Sequence, residues 1–306
     1  MDFYVSWSHS DPFYQMYDGQ CSMLISPTSV TSVWKLTRFS KLPYQLMLDS
    51  GSYSYISNNL PLPTPREVFK RQLHILDDCD LPTIICPVDV PMLQKTLSLT
   101  ERNRAIDKTI ANACELKILM KDYSQLGKNS KVRCHPIETM AIVQGYDIAS
   151  IRYCARQLTE IGYSRFGIGS MAHLYDIKEI KKRVEAVQSV VGSKIHIFGI
   201  SGIEVMEELR KLGITSVDSA RPIKAAIYNE ILYSEPYLRV GIAGSRFRAD
   251  NSKFSADRMV SELSLECPCP VCKNEINNDI LKLGIRKYLL LRAVHNYYHI
   301  KKMIAD

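Results

Sequence analysis

Near the end of the sequence, Cys267-Pro268-Cys269-Pro270-Val271-Cys272 is followed, after a helical stretch, by His295-Asn296. Three thiolates and an imidazole at this spacing suit a tetrahedral metal site, and zinc is the ion expected for such a donor set. Four protein ligands leave no position open for water or substrate, so the site is expected to hold structure together rather than to catalyse. A chance cluster of buried thiols is the plainer alternative, but two prolines stiffening three closely spaced cysteines favour ligation. His299, one helical turn beyond His295, is the reserve fourth ligand, because residues i and i+4 share a helix face.

Other chemistry is expected where polar residues follow short apolar runs. Leu46-Met47-Leu48 leads into Asp49-Ser50-Gly51, and Ile84-Ile85-Cys86-Pro87-Val88 leads into Asp89. Ala141-Ile142-Val143 leads into Gln144-Gly145, Phe166-Gly167-Ile168 into Gly169-Ser170, and Ser216-Val217 into Asp218. Singly, each has an ordinary explanation, since Asp-Ser-Gly is common turn chemistry and Asp caps helices. Together they place three carboxylates, a carboxamide and a glycine at the ends of strands, where a parallel barrel collects its functional groups.

The elements that must position them follow a βα rhythm. Strands are expected at Cys21 to Ile25, Gln45 to Leu48, Thr83 to Val88, Thr139 to Val143, Arg165 to Ile168, Lys194 to Phe198 and Thr215 to Val217, with an eighth around Leu238 to Ile242. Helices are expected at Thr100 to Met120, Ile148 to Ile161, Ile177 to Val191 and Gly202 to Leu212; in the last, Ile203, Met206, Leu209 and Leu212 recur at helical spacing and Gly213 ends it. This order predicts an α/β fold, a (β/α)8 TIM barrel with a C-terminal zinc-binding subdomain, with a doubly wound sheet as the alternative. The expected division is a barrel over 1–260, including an N-terminal segment of unassigned role, and a helical zinc-binding subdomain over 261–306.

Composition bounds the function. The 306 residues are 46% hydrophobic, enough to bury a large core. The remaining cysteines, Cys21, Cys79, Cys86, Cys114, Cys134 and Cys154, have no pairing rhythm, and the start of the sequence is acidic at Asp2, so a reduced, cytoplasmic protein is expected. No apolar run approaches the roughly 20 residues that span a bilayer. The net charge is +7, with late basic residues Arg239, Arg246, Arg248, Lys253, Arg258, Lys282, Arg286, Lys287, Arg292, Lys301 and Lys302 forming a candidate phosphate-facing surface or a solvated helix face.

The segments Asp49-Ser50-Gly51-Ser52-Tyr53, Val143-Gln144-Gly145, Gly167-Ile168-Gly169, His196 to Gly199, Val217-Asp218-Ser219-Ala220 and the cysteine-histidine motif occur in this order. In that arrangement the chain, from about residue 45 onward, resembles the tRNA-guanine transglycosylase superfamily. The resemblance implies a zinc-bearing barrel enzyme, a pentosyltransferase that removes guanine from a polynucleotide and installs a free base, often a 7-deazaguanine. Breaking an N-glycosidic bond and holding the sugar between two bases suits a carboxylate nucleophile. By match to the family pattern, Asp218 would form the covalent glycosyl intermediate and Asp49 would be the general acid and base, a role that requires a tuned pKa. Asp89 would accept the guanine N1–H and amine, Gln144, Gly145 and the Gly169 backbone would line the remaining polar edge, Ser50 would help hold the base, and Tyr53 and Phe198 would stack on its faces. The target nucleotide must then leave its helical stack. By residue type alone, Tyr53 and Phe198 are core aromatics and Asp89 a turn cap; His135 and His173 match no motif and stay outside the chemistry.

Ser52 after Gly51, and Tyr146 after Gly145, stand where bacterial tRNA enzymes of the superfamily carry second glycines, and Ser170-Met171 occupies the region that adapts to the deazapurine substituent. With a compact chain and no resemblance to an archaeal RNA-binding appendage, these departures favour the DpdA-type DNA-guanine transglycosylases of phage and bacteria. The expected reaction is exchange of DNA guanine for a 7-deazaguanine such as 7-cyano-7-deazaguanine in a bacterial or phage-infected cell. A tRNA substrate, a catalytically silent nucleic-acid-binding partner subunit and a metal-dependent hydrolase remain the alternatives, and a homodimer or a partner protein for duplex opening is compatible with each transglycosylase reading.

Overall fold

The computed structural model describes residues 1–92, 97–129, 137–171, 174, 176–192, 194–200, 202–235, 237–242, 267–274, 282 and 284–305. Of the residues singled out above, Cys134, His135, His173, Arg246, Arg248, Lys253 and Arg258 lie outside these segments. Nine short strands, β1 (Asp2–Trp7), β2 (Ser22–Ile25), β3 (Gln45–Leu48), β4 (Thr83–Ile85), β5 (Ile137–Thr139), β6 (Ala141–Val143), β7 (Phe166–Ile168), β8 (Ile195–Ile197) and β9 (Ser216–Ser219), form one sheet ordered β5-β4-β3-β2-β1-β9-β8-β7-β6. Every pairing in it is parallel.

The two ends of that order, β5 and β6, are one stretch of chain parted only by Met140. On one side Met140 N–H donates to Ile85 O at 3.1 Å, and on the other Ala141 N–H donates to Arg165 O at 3.0 Å. The ladder thus closes on itself, and nine strands with two on one stave make the eight-staved parallel barrel expected from the βα rhythm.

The eighth stave is not where the sequence placed it. It is β1, whose Asp2 to Val5 run beside Ser216 to Ser219 of β9 and whose Tyr4 to Trp7 run beside Ser22 to Ile25. Leu238 to Ile242 instead overlaps β11 (Tyr237–Gly241), the antiparallel partner of β10 (Glu230–Ser234) in a separate hairpin. Closure of the barrel requires a strand that bridges the first and last staves, and only the N-terminal segment can reach both without a long crossover.

Helices α1 (Ser52–Ser57) and α2 (Pro65–Leu76) follow β3, α3 (Leu99–Asn129), α4 (Ile148–Glu160), α5 (Ile177–Val191), α6 (Ile203–Lys211) and α7 (Arg221–Ile227) follow β4, β6, β7, β8 and β9 in turn, and α8 (Pro270–Asn274) and α9 (Arg286–Ala305) end the described chain. Local chemistry sets their starts. Thr64 and Glu67 form a reciprocal capping box with Pro65 in the first turn of α2, Asp147 and Ser150 do the same for α4, and Asp176 accepts from Lys178 N–H at 2.9 Å to open α5.

Strand alternation sorts the core into two layers. Tyr4, Leu24, Met47, Ile84, Cys86, Met140 and Ile142 fill the barrel interior beneath Phe198, while residues of opposite parity, among them Val5, Ile25, Leu48, Val143 and Val217, pack outward against the helices. The link from β1 to β2 holds only a 3-10 turn at Tyr14–Met16, and α9 covers β1 in place of a helix from that link. Tyr297 of α9 meets Phe3 and Tyr14 with ring centroids 6.0 and 5.0 Å away, and its hydroxyl donates to Asp18 at 2.7 Å.

The basic residues of the C-terminal part divide accordingly. Arg292 is buried, Arg239 pairs with buried Glu230, and Lys301 and Lys302 pair with Asp18 and Glu235. Lys282, Arg286 and Lys287 are exposed, and Arg286 donates to Ser10 O at 2.5 Å, just past the C-terminal end of β1. Among the described residues no helix is long and apolar enough to cross a membrane.

Truncating Tyr297 to Ala should remove the ring that joins α9 to β1 and cost about 3 kcal/mol or more, whereas Tyr297→Phe, which loses only the hydroxyl and its bonds to Asp18 and Cys21, should cost about 1 kcal/mol. Denaturant midpoints of the two variants check this order.

Candidate active site

The strand ends bring the predicted polar residues together at one mouth. Inward parity continues past each strand, from Met47 to Asp49, Ile142 to Gln144, Gly167 to Gly169, His196 to Phe198 and Ser216 to Asp218, so all five positions point above the same barrel interior. Helices behind the strands hold the loops. The Gln72 amide of α2 donates to the carbonyls of Leu48, Asp49 and Cys86, and Asn112 of α3 donates to Val88 O at 2.9 Å.

Asp89 and Gln144 form the buried centre. Gln144 Nε2 donates to Asp89 Oδ2 at 2.6 Å, Ser50 Oγ donates to Asp89 Oδ1 at 3.2 Å, and Ser170 Oγ donates to Gln144 Oε1 at 2.8 Å. These partners fix which face of the carboxamide donates. Ser52, standing where a second glycine was expected, bonds Ser50 through its hydroxyl at 2.8 Å and reinforces the same network. Burial raises the Asp89 carboxyl above the ordinary carboxylate range, against the hydrogen bonds it accepts from Gln144 and the two serines.

Asp218 accepts three hydrogen bonds from two other strands. Gly199 N–H donates to Oδ1 at 2.8 Å, His196 Nε2 lies 3.3 Å from the same oxygen, and Ser6 Oγ of β1 donates to Oδ2 at 2.7 Å. Ser216 Oγ lies 2.9 Å from His196 Nδ1, which leaves Nε2 as the nitrogen facing the carboxylate. Asp49 accepts from Gly51 N–H at 2.5 Å. Gly51 has φ +77°, and a Cβ there would lie 2.8 Å from Thr28, so this turn requires glycine. Burial pushes the Asp49 carboxyl from 3.8 up to about 7, opposed by bonds from Gly51 and Ser26 and aided by the Asp89 and Asp218 carboxylates.

The expected substrate-binding residues sort into three groups. Ser50, Asp89 and Gln144 are in the network just described. Gly145 and Gly169 act through missing side chains: a Cβ would lie 2.7 Å from Ile151 N at the start of α4 in the first case and 2.3 Å from Gln144 Nε2 in the second. Gly169 N–H itself donates to Val143 O at 3.1 Å, so it continues the ladder rather than projecting into the mouth. Phe198 lies over Gly167 and meets His196 edge-on with centroids 4.5 Å apart, forming the floor, while Tyr53 at the start of α1 is 46% exposed.

The cysteine cluster lies beside α9. The ligating atoms of Cys267, Cys269, Cys272 and His295 all fall within 4.8 Å of one another. His295 Nδ1 is 3.8, 3.4 and 3.5 Å from the three sulfurs in that order. A tetrahedral ion with sulfur bonds near 2.3 Å and a nitrogen bond near 2.0 Å sets such edges at roughly 3.5 Å, so the four residues can hold a metal. His295 Nε2 bonds Leu232 O at 2.9 Å, which directs Nδ1 to the sulfurs. His299 takes a different place from the reserve ligand: its Nδ1 accepts Ser234 N–H at 3.0 Å, leaving Nε2–H to donate to Cys267 Sγ at 3.1 Å. Asn296 bonds Leu232 N–H at 2.8 Å and Glu230 O at 3.0 Å, so the His-Asn pair fastens β10 to α9.

The family model described as queuine tRNA-ribosyltransferase matches residues 25–306. The chain belongs to the queuine tRNA-ribosyltransferase family. Two curated relatives are a DNA-guanine transglycosylase of Salmonella montevideo, 24% identical over 200 residues that cover 62% of this chain and 44% of the relative, and a tRNA-guanine(15) transglycosylase of Sulfolobus acidocaldarius, 22% identical over 275 residues that cover 85% and 46%. The chain thus aligns with less than half the length of either relative. The family match begins after β1, so Ser6 lies outside it. Ser6, Ser26 and the donors His196 and Gly199 are site residues that sequence reasoning passed over; Ser6 and Ser26 carried no motif, and the segment His196 to Gly199 was noted for its order alone.

With a folded-state pKa above 3.8, the Asp49 carboxyl binds its proton more tightly in the folded chain. Its contribution to stability is therefore complete below about pH 4 and is lost as pH rises through about 7. Asp49→Asn should melt with the parent chain at acid pH and several degrees above it at pH 8, as read by thermal denaturation across that range.

Proposed function

We propose that this chain is a base-exchange pentosyltransferase that replaces guanine in a nucleic acid through a covalent intermediate on Asp218. The observation that carries this reading is the pair of carboxylates with opposed environments at one mouth: Asp218 held by three hydrogen bonds, and Asp49 raised to about 7. A held carboxylate suits attack on C1′, and a carboxyl half-protonated near neutral pH suits giving a proton to a departing purine and taking one from its replacement.

In the proposed first step, a carboxylate oxygen of Asp218 bonds C1′ as the C1′–N9 bond breaks, the electron pair leaves with guanine, and Asp49 supplies the proton. In the second, the incoming base loses a proton to Asp49 and attacks C1′, and Asp218 leaves as carboxylate. Asp89 has oxygen lone pairs beyond those taken by Ser50 and Gln144 for the guanine N1–H and amine, and Gln144 has a second amide hydrogen for the purine carbonyl. Phe198 would support one face of the base and Tyr53 would close over the other from the mouth.

DNA is the substrate we favour, with a 7-deazaguanine such as 7-cyano-7-deazaguanine as the incoming base. The hydroxyl of Ser52 and the side chain of Tyr146, whose hydroxyl donates to Asn103 Oδ1 at 3.0 Å, would reshape the pocket wall where tRNA enzymes are expected to carry glycines, and one relative is named for DNA. The exposed Arg286, which donates to Ser10 O past the end of β1, and the exposed Lys282 and Lys287 near it in sequence would face the phosphate backbone. The longer alignment with a tRNA-guanine(15) transglycosylase supports tRNA as the second reading. We assign zinc to the cysteine-histidine cluster, in a structural role, with residues 261–306 as the subdomain it organises, in a protein working in the cytoplasm as a homodimer or with a duplex-opening partner.

Purified protein should incorporate labelled guanine, and 7-cyano-7-deazaguanine, into duplex or single-stranded DNA and not into tRNA, and Asp218→Asn should lower the rate by at least a thousandfold. Incorporation into tRNA alone would move the substrate to the second reading, and nucleic-acid binding without exchange would leave a silent subunit. Metal analysis should give one zinc per chain, and its removal by chelator or Cys269→Ser should loosen α9 and lower the melting temperature before any direct effect on chemistry, because the binding energy of a closed site is folding energy.

A further inference from the structure

Besides the proposed chemistry the structure holds a cleft of about 590 Å³ between Tyr17, Tyr298 and the lysines of α9, a run of hydroxyls from Ser26 beside Asp49 through Thr28 to Ser54, and the donors around Asp218. The cleft has nothing in the structure to indicate an occupant. The hydroxyls bond one another in an open loop. The donors make a defined constellation on a reacting group.

We propose that Ser6 is a positioning residue that sets the balance between the two half-reactions by holding Asp218 as a leaving group; this rests on Asp218 being the nucleophile. Ser6 lies on β1, facing inward with Tyr4, one stave from Asp218 of β9. Its hydroxyl is 2.7 Å from Oδ2, whereas Gly199 N–H and His196 serve Oδ1. Among the described residues Ser6 is therefore the partner of the second oxygen, so neither carboxylate oxygen is left to the substrate alone. Without Ser6 the two donors on Oδ1 would remain and Oδ2 would lose its hydrogen bond.

Their effect on the chemistry has a sign. When Asp218 attacks, its negative charge is spent in the new C1′–O bond, and the donors lose most of their electrostatic partner. When Asp218 departs, the C1′–O electron pair returns to it and the donors regain that partner. A hydrogen bond to the carboxylate thus restrains attack and assists release. Removing one such bond should leave the glycosyl ester relatively more stable. A charge-assisted bond of ordinary strength corresponds to roughly a ten- to hundredfold change in that equilibrium.

The N-terminal strand thereby gains a chemical part. Sequence beyond the family match supplies a donor on the proposed nucleophile, and α9 covers the outer side of that same strand through Tyr297 against Phe3.

The test is to incubate the full chain and its Ser6→Ala, Ser6→Cys and Ser6→Thr variants with guanine-containing duplex DNA, its single strand and a tRNA transcript, without added base, and to measure the fraction of protein covalently joined to nucleic acid on a denaturing gel. Addition of labelled guanine then gives the release rate. Ser6→Ala and Ser6→Cys should raise the trapped adduct and slow release by roughly tenfold or more, and Ser6→Thr, which keeps a hydroxyl, should behave as the parent chain. Ser6→Cys keeps the volume of the side chain and covers the case in which Ser6→Ala does not fold. An adduct present in the parent chain and unchanged or reduced in folded Ser6→Ala or Ser6→Cys overturns the proposal alone. Base exchange with no adduct in the parent chain overturns the covalent step on Asp218 and this proposal with it, while no exchange on any nucleic acid overturns the transglycosylase reading and this proposal together.

Discussion

Three carboxylates share one mouth with little water around them, and the rest of the structure answers that constraint. Two like charges about 6 Å apart repel by roughly 3 kcal/mol at an effective dielectric near 20, more than one neutral hydrogen bond returns. Each carboxylate therefore needs several donors or a proton. Asp89 draws its donors from Ser50 and Gln144, and Asp218 from Ser6, His196 and Gly199, while Asp49 is the one raised to about 7. The donors on Asp218 come from the staves on either side of it, β8 and β1, whereas Gln144 reaches Asp89 only because the stave that ends in β6 also pairs with β4 through β5. Barrel closure through Ile137 to Val143 is thus an electrostatic requirement as well as a topological one.

A second demand falls on β1, which must carry Ser6 to the mouth without a following helix of its own. The cover is α9, from the other end of the chain, and α9 is in turn tied down at both faces. Tyr297 and Lys301 meet the N-terminal segment through Asp18, and His295, Asn296 and His299 meet the cysteines and β10. One helix therefore carries the contacts to the barrel and a donor of the metal cluster. A metal held there would act through the packing of α9 against β10.

Much of this was legible in the sequence. The helix starts are written locally, because a capping box needs only residues three apart: Asp147 with Ser150 opens the helix expected at Ile148, and Thr64 with Glu67 carries the same signal for α2, which was not among the expected helices. The inward set was equally readable, since period-two alternation continues from Met47 to Asp49 and from Ser216 to Asp218. The position of the eighth stave was not. Asp-Phe-Tyr-Val-Ser-Trp is a short strand with an acidic first residue, and nothing within it says that it pairs with residues near 216. Leu238 to Ile242 has an equally good strand pattern, and only its antiparallel partner β10 takes it out of the barrel.

By itself the sequence determined the βα order, the polar strand ends and a thiolate-imidazole donor set, because each depends on residue type and on spacing within a few positions. The tertiary structure alone decided which hydrogen-bond donors surround each carboxylate, that Gly169 continues a ladder, and that His299 supports Cys267 as an outer partner. Ser6 and Asp218 are 212 positions apart, and Ser234 and His299 are 65 apart. Contacts at such separations are fixed by strand register and barrel closure, which are properties of the assembled chain and leave no local mark on the residues that take part.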